Sequence, residues 1–235
     1  MIDVRPFASL GAFRNDWLNA KHHFSFANYY DPARVSFGKL RVWNDDEIQP
    51  GTGFDPHPHR EMEIVTFVRQ GAITHKDNLG NQGRTVAGDV QVMSAGTGIV
   101  HAEYNLEPEA TRIFQIWIEP DTRGAKPSWG TKEFPKDNRD GSFTLLAGGR
   151  PGDAEAGALP INANAAVFAA TVKKGETVTH ALGAGRKAYL VPPTGAVTVN
   201  GIAVATRDGA AIDGVPTIEV TATEDAEVVM VEVAG

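Results

Sequence analysis

Two short segments of the chain each carry a pair of side chains that can bind a metal, His57-x-His59 and His101-x-Glu103. Side chains two residues apart on an extended strand point to the same face. If the two strands converge, one ion can be reached by three imidazoles and one carboxylate. This ligand set suits a divalent transition metal, and it leaves iron, nickel, copper, cobalt, manganese and zinc open.

Composition narrows the kind of site and the kind of partner. The chain of 235 residues contains no cysteine, so disulfides, iron–sulfur clusters and thiolate zinc sites are excluded. The formal net charge of −7 provides no basic footprint for nucleic acid, and it argues against an anionic membrane surface. We find neither a leader-like segment nor an apolar run long enough to span a bilayer. We therefore expect a soluble cytoplasmic protein, and we expect it to be a monomer.

The elements that must position these pairs are short strands. Apolar and polar residues alternate with period two, and turn residues such as Asn78-Leu79-Gly80-Asn81 separate the runs. Many short strands with turn signals between them predict an all-β sandwich or barrel. Only the region near Asp16–Ala20 and a piece of a later linker look weakly helical. The predicted strands cover residues 61–69, 72–77, 88–93, 111–118, 143–146, 166–172, 188–191, 197–199, 218–220 and 228–233.

The chain also divides into two halves. Residues 119–142 are rich in Pro, Gly, Lys and Asp, and this change of composition predicts a linker. Gly51-x5-His57 in the first half has a counterpart in Gly175-x4-His180, which predicts a degenerate repeat. The second half lacks a second histidine after His180.

Longer motifs surround the metal-binding pairs. Gly51-x5-His57-x-His59-x3-Glu63 and Gly88-x5-Ser94-x-Gly96-x-Gly98-x2-His101-x3-Asn105 together resemble the paired motifs of the cupin superfamily, which are small β-barrels that hold a metal inside. The ordered run of HHFSF, HPHREMEIVTFV, HKDNLGN, GDVQVMSAGTGIVHAE and FQIWIEP resembles the pirin family more closely. This likeness is detailed over roughly the first 130 residues and only general beyond them.

The resemblance implies an all-β fold of two tandem cupin-type β-barrels, a bicupin. A metal-binding barrel would occupy residues 1–130 and a degenerate barrel residues 131–235, with the metal site in the N-terminal barrel only. The implied ligands are His57, His59, His101 and Glu103, and Fe(II) is the first choice of metal.

The carboxylate ligand distinguishes pirins from the wider superfamily, which takes it from the position of Glu63. We expect Glu63 in the pocket wall or behind the ligands, because it shares strand parity with His57 and His59.

Two functions are open. The resemblance implies a metal-dependent dioxygenase that cleaves flavonols such as quercetin with O2 and releases carbon monoxide. In that reaction Glu103 would take the proton of the substrate hydroxyl, whose acidity the metal raises. The alternative is a non-enzymatic, redox-responsive metal protein that binds a protein partner.

Other candidate residues have simpler interpretations. We expect His22 and His23 to be packing residues, His75 to cap or pack a hairpin turn, and His180 to be a satisfied structural histidine. Phe24, Phe26, Phe54 and Phe67 could line an aromatic pocket, although core packing is the more common use. Neither a nucleophile turn of the Gly-x-Ser-x-Gly type nor a phosphate-binding glycine loop occurs.

Overall fold

A computed structural model describes residues 1–134 and 141–235, and in these ranges the chain is built almost entirely from strands. Two short 3-10 helices, Phe7–Ser9 and Pro32–Arg34, interrupt the first half. The strands of residues 1–134 are β1 (Ile2–Arg5), β2 (Gly11–Arg14), β3 (Leu18–His22), β4 (Leu40–Ile48), β5 (Thr52–His59), β6 (Glu63–Gln70), β7 (Ala72–Asp77), β8 (Gln82–Val86), β9 (Val90–Ser94), β10 (Ile99–Asn105), β11 (Thr111–Ile118) and β12 (Ser128–Lys132). The strands of residues 141–235 are β13 (Thr144–Gly148), β14 (Leu159–Pro160), β15 (Ala165–Val172), β16 (Thr177–Ala181), β17 (Arg186–Thr194), β18 (Val197–Val199), β19 (Ile202–Val204), β20 (Gly209–Asp213), β21 (Thr217–Ala222) and β22 (Ala226–Ala234).

Within the described residues the strands form two pairs of sheets, each pair closing one barrel. The first barrel combines a seven-stranded sheet of order β12-β9-β6-β11-β4-β3-β2 with a four-stranded sheet of order β5-β10-β7-β8. The second combines β1-β20-β17-β22-β15-β13-β14 with β16-β21-β18-β19. The eight strands β4–β11 therefore have the same neighbours, in the same order, as β15–β22. The all-β prediction of two tandem barrels is confirmed, and the halves are a structural repeat.

The two seven-stranded sheets pack against each other and form the largest core of the molecule. Trp43 and Phe114 contribute to it from the first barrel, and Tyr189 and Val231 from the second; all four are fully buried. Burying this apolar area supplies most of the free energy that joins the barrels.

Two strands cross the predicted division of the chain at residue 130. The first strand, β1, pairs with β20 of the second barrel, whereas β12, which contains residue 130, pairs with β9 of the first. Residues 135–140 of the predicted linker lie outside the described residues. The division into 1–130 and 131–235 stays a prediction.

The weak helix predicted near Asp16–Ala20 is wrong. Leu18–His22 is strand β3, which pairs with both β2 and β4. Leu18, Ala20 and His22 are buried while Asn19 is exposed, so the alternation has the period of a strand. The described part of the linker contains strand β12 and no helix, and the helical piece expected in the linker stays a prediction for residues 135–140, which lie outside the described residues. Among the described residues, no helix is long and apolar enough to cross a membrane.

Candidate metal centre

The pairing of β5 with β10 brings the two predicted ligand pairs together. His57 lies opposite His101 and His59 opposite Ile99, whereas Phe54 lies opposite Glu103. The register shifts between His101 and Glu103, so β5 carries one extra residue there and forms a bulge. Because of the bulge, Phe54 and His57 both face the barrel interior, although they are three residues apart.

Three of the four predicted ligands converge. His57, His59 and His101 offer nitrogen atoms that all lie within 4.8 Å of one another. Their ring centroids are 4.5 to 5.0 Å apart. His101 is 3% exposed, and the other two are half-buried. An imidazole triad of this kind, open on one side, is a common way to hold a transition metal.

Hydrogen bonds fix the protonation pattern of two of the histidines. His57 Nδ1 lies 2.7 Å from the carbonyl of Asp55 and must donate to it, which leaves Nε2 with a free lone pair. His75 Nε2 lies 3.1 Å from the carboxylate of Asp77 and donates to it, so His75 Nδ1 can accept a hydrogen bond from the N–H of His101 Nδ1 at 3.3 Å.

This arrangement leaves a lone pair on His101 Nε2, an atom that is buried and has no hydrogen-bond partner in the part of the chain that the structure describes. A buried, unpaired nitrogen beside two other imidazoles costs stability unless something binds it. The residues present therefore fit a metal. Asp77 and His75 support it from behind, as the partners of metal-bound histidines commonly do.

Burial also keeps His59 and His101 neutral. Desolvation, reinforced by the neighbouring His57, lowers the pKa of His59 to about 4. Desolvation and then the adjacent histidines lower the pKa of His101 to about 2. Neutral imidazoles are the form that binds metals.

Glu103 lies beside the triad but belongs to a second, overlapping group. Its carboxylate and the ring nitrogens of His75 and His101 lie within 4.8 Å of one another. Its oxygens accept hydrogen bonds from Gln91, Gln115 and Thr66. Burial raises the pKa of Glu103 to about 7, against the opposing effect of these three donors. The assignment of Glu103 as fourth ligand stays a prediction.

The donors to Glu103 belong to a row of polar side chains that crosses the interior of the seven-stranded sheet. Each member lies opposite the next on a neighbouring strand, from β3 to β12. The sequence interpretation missed this row, and only strand parity could have indicated it, because each member has the parity of its strand's inward face. The row consists of His22, Asn44, Gln115, Thr66, Gln91 and Thr131.

The triad opens into a cavity of about 760 Å³ in the first barrel. Aromatic rings form much of its wall: Trp117 packs edge-on against His59 at 4.9 Å and against Phe26 at 5.4 Å, and Trp17 against Phe54 at 5.2 Å. A cavity of this size and lining suits a flat organic molecule.

The expectation for Glu63 is wrong. Its carboxylate accepts hydrogen bonds from Ser94 Oγ and from the backbone and side-chain nitrogens of Asn162, between the two barrels. On β6 it shares parity with Val65, which lies in the inter-barrel core, whereas Thr66 faces the interior. A turn with Glu61 at φ 51° separates β5 from β6, so parity is not carried from His59 to Glu63.

The remaining histidines divide between packing and the cavity. His23 is fully buried against Tyr189, whose hydroxyl lies 2.9 Å from Nδ1, in agreement with a packing role. His22 lines the cavity instead. His75 does not cap a turn: it lies within β7, and its ring stacks on Trp129 at 4.7 Å.

The predicted aromatic residues divide in the same way. Phe26 and Phe54 line the cavity, while Phe24 and Phe67 are fully buried in the inter-barrel core.

Comparison with known proteins agrees with this geometry. Residues 4–118 match the family model described as Pirin, and residues 151–233 match the model of the quercetinase C-terminal cupin domain. A pirin-like protein of Caulobacter vibrioides is 63% identical over 234 residues, which cover 100% of this chain and 100% of the relative. The chain belongs to the pirin family.

Other relatives of this pirin carry a named activity or a metal. A quercetin 2,3-dioxygenase of Escherichia coli K12 is 39% identical over 231 residues, which cover 98% of this chain and 97% of the relative. The crystal structure of the bacterial pirin YhhW from Escherichia coli in complex with nickel(II) superposes with a TM-score of 0.92 at 37% identity, covering 100% of this chain and 99% of the other.

Proposed function

We propose that this pirin is a metal-dependent dioxygenase that cleaves flavonols such as quercetin with O2 and releases carbon monoxide. The observation that carries the proposal is the imidazole triad with its free nitrogen atoms, placed at the wall of an aromatic-lined cavity large enough for a flavonol. The name of the Escherichia coli relative supports the substrate class.

The proposed cofactor is one divalent transition metal held by His57, His59 and His101, with Glu103 as the fourth ligand. Fe(II) remains the first choice, and the nickel(II) complex of the Escherichia coli pirin supports the wider class of divalent ions. When bound, such an ion supplies a Lewis acid for the adjacent hydroxyl and carbonyl oxygens of a flavonol and a centre for reaction with O2.

The protein's own groups position the substrate and move its proton. Glu103 lies on the inner face of β10, where it can accept the proton of the substrate 3-hydroxyl. Gln91 and Gln115 hold its carboxylate in one orientation by donating to different oxygens. Trp117 packs against His59 and Phe54 lies beside His57 at the cavity wall, where both rings can contact a planar ligand and exclude water.

The deciding experiment follows turnover with defined metals. Purified protein is loaded without oxygen with iron, nickel, copper, cobalt or manganese, then mixed with quercetin and air, and flavonol absorbance and carbon monoxide are recorded. We expect equal amounts of flavonol lost and carbon monoxide formed with at least one metal.

Two variants serve as controls for this reaction. His101→Ala should lose both metal and turnover, whereas Glu103→Gln should lose turnover at least 100-fold because the proton acceptor is absent. Bound metal without turnover for every ion would contradict the enzyme and favour the regulator that binds a protein partner.

A further inference from the structure

The cavity has a second polar region, on the sheet opposite the triad. His22 from β3 and Asn44 and Asp46 from β4 line it, and they are 4%, 4% and 2% exposed. His22 Nδ1 donates to Asn44 Oδ1 at 2.8 Å. The triad lies on the four-stranded sheet, so a ligand that fills the cavity meets polar groups from both sheets.

Asp46 is the unexplained member of this group. Its Oδ1 is buried and has no hydrogen-bond partner among the described residues. Its neighbour Asp45, on the other face of β4, is bound by both Arg69 and Arg207. An unpaired buried carboxyl oxygen destabilises the fold. A group kept at that cost, with its side chain at a cavity wall, points to a missing hydrogen-bond donor.

The charge of the cavity wall limits what that donor can be. Asp46, Asp55 and Glu103 line the cavity, and among its described lining residues there is neither lysine nor arginine. Carboxylate, sulfate or phosphate groups of a ligand would therefore find no lysine or arginine on this wall and would be left unpaired. A neutral hydroxyl can donate to Asp46 without that penalty.

We propose that His22, Asn44 and Asp46 form a second subsite, which binds a neutral hydroxyl group of a flat aromatic ligand on the sheet opposite the histidine triad. The Asp46 carboxyl group accepts a hydrogen bond from the hydroxyl, and Asn44 and His22 lie beside it at the cavity wall. The inference rests on the proposed function, because it assumes an aromatic ligand whose other end lies at the triad. It assigns the cavity a preference for neutral polyhydroxylated aromatics over those with a single polar end.

The test compares two ligands that share the metal-binding end. Quercetin and 3-hydroxyflavone both have the 3-hydroxyl and 4-carbonyl, but only quercetin has hydroxyls elsewhere on its rings. Binding to nickel-loaded protein without oxygen is measured by calorimetry and by quenching of tryptophan fluorescence. The native protein should bind quercetin at least about tenfold more tightly, the difference expected for one buried hydrogen bond. Equal affinities would overturn the subsite without any variant.

The variant Asp46→Ala assigns that difference to the subsite. It should weaken the binding of quercetin about tenfold and leave the binding of 3-hydroxyflavone unchanged. It should also unfold at the same or a higher temperature, since it removes an unpaired buried oxygen, which a merely structural role for Asp46 would not give. The matched control is Glu47→Gln, on the same strand but bound to Arg112 at 2.7 Å, and it should change neither affinity.

The outcomes separate the two proposals. Equal weakening of both ligands by Asp46→Ala, or no change in either, would overturn the subsite alone. Failure of the nickel-loaded native protein to bind either ligand would overturn the flavonol class itself and the subsite with it. If Asp46→Ala does not fold, Asp46→Asn replaces it: loss of the quercetin preference to any measurable degree supports the subsite, and full retention contradicts it.

Discussion

The two barrels have the same order of strands, but their interiors differ. The first encloses a cavity lined in part by polar side chains, and the second is filled by apolar ones. The amide of Gly51 donates to the carbonyl of Asn105 at 2.8 Å, and the amide of Gly175 donates to the carbonyl of Ala222 at 2.8 Å. Both glycines have positive φ, 70° and 82°, and each lies just before the edge strand of a four-stranded sheet. These equivalent bonds, together with the strand pairings, allow the two interiors to be matched position by position.

At the metal centre, one position of four has kept its residue type. His180 lies opposite Ile218 as His57 lies opposite His101, so Ile218 takes the place of His101. By the same register, Leu182 and Val220 take the places of His59 and Glu103. Leu182, Ile218 and Val220 all belong to the apolar core of the second barrel.

The polar row shows the same exchange. In the second barrel the matched pairings replace polar side chains with apolar ones that fill the interior. Burying a phenylalanine, leucine or methionine side chain in this way stabilises the fold by about 1.5–3 kcal/mol. The first barrel lacks this stabilisation and contains a cavity, whereas the second barrel has a packed apolar core. The replacements in the row are Phe168 for Asn44, Leu190 for Thr66, Ala210 for Gln91 and Met230 for Gln115, and beside the row Ala170 takes the place of Asp46.

One residue of spacing accounts for a further difference. Gly51-x5-His57 is one residue longer than Gly175-x4-His180, and the extra residue is the bulge in β5. The strand β16 pairs with β21 without a register shift. The repeat that the spacing predicted is therefore real, and its mismatch marks the place where the first barrel turns its histidines towards the cavity.

The largest expected effect is a loss of metal affinity when His101 is replaced by isoleucine, the residue at the matched position of the second barrel. His101→Ile removes the buried nitrogen at the centre of the triad, so metal affinity should fall by more than about 100-fold. Metal content per chain, measured by elemental analysis after dialysis, checks this. A full complement of metal in His101→Ile would show that the comparison misplaces the site.

Metal affinity should fall by a smaller factor when His101 loses its hydrogen bond to His75. The variant His75→Phe keeps the stacking on Trp129 but cannot accept the hydrogen bond from His101 Nδ1. The wrong tautomer then competes, and metal affinity should fall about 10- to 100-fold. Competition titration with a metal-binding dye measures it. An unchanged affinity would mean that the Asp77–His75–His101 chain does not orient the ligand.

Replacing His180, the histidine of the second barrel, should lower the stability of the fold without changing the metal content. His180 Nε2 donates to Glu232 at 2.6 Å, and Arg150 and Arg186 also bind this carboxylate. His180→Ala should leave metal content unchanged and lower the free energy of unfolding by about 1–3 kcal/mol. Loss of metal would contradict the separation of the barrels.

The same variant has a defined pH dependence. Burial alone would raise the pKa of Glu232, but His180, Arg186 and Arg150 outweigh it and hold the pKa below its usual 4.5. The folded pKa is thus below the unfolded one, so the stabilisation is present above about pH 4.5 and is lost as the pH falls through the folded pKa. Thermal unfolding at pH 3 to 7 should show a smaller difference between His180→Ala and the native protein at the acidic end.

The smallest effect is expected at the boundary between the barrels. Glu63→Gln should leave metal content and flavonol binding unchanged, since Glu63 faces Asn162 and not the triad. Burial raises the pKa of Glu63 in spite of its hydrogen bonds from Ser94 and Asn162. The folded pKa is above the unfolded one, so the native protein should lose stability relative to Glu63→Gln as the pH rises from about 4.5. Unfolding midpoints at pH 4 and 7.5 test the sign, and a loss of metal would restore Glu63 as a ligand.

The sequence by itself determined the features that depend on neighbours along the chain. Period-two alternation gave β7 and β11 with their observed bounds, and the x-spaced histidines gave a shared face for His57 and His59. These succeed because the direction of a side chain within one strand is a local property of the backbone.

The tertiary structure decided everything that depends on which strands meet. A turn between β5 and β6 moved Glu63 to the other face, a bulge moved His57 to the inner one, and pairing from β3 to β12 aligned the polar row. The positions of His75 behind His101 and of Asp46 at the cavity wall arise in the same way. Turns and long-range pairing choose the face that each strand presents, and neither is encoded in the spacing of residues on a single strand.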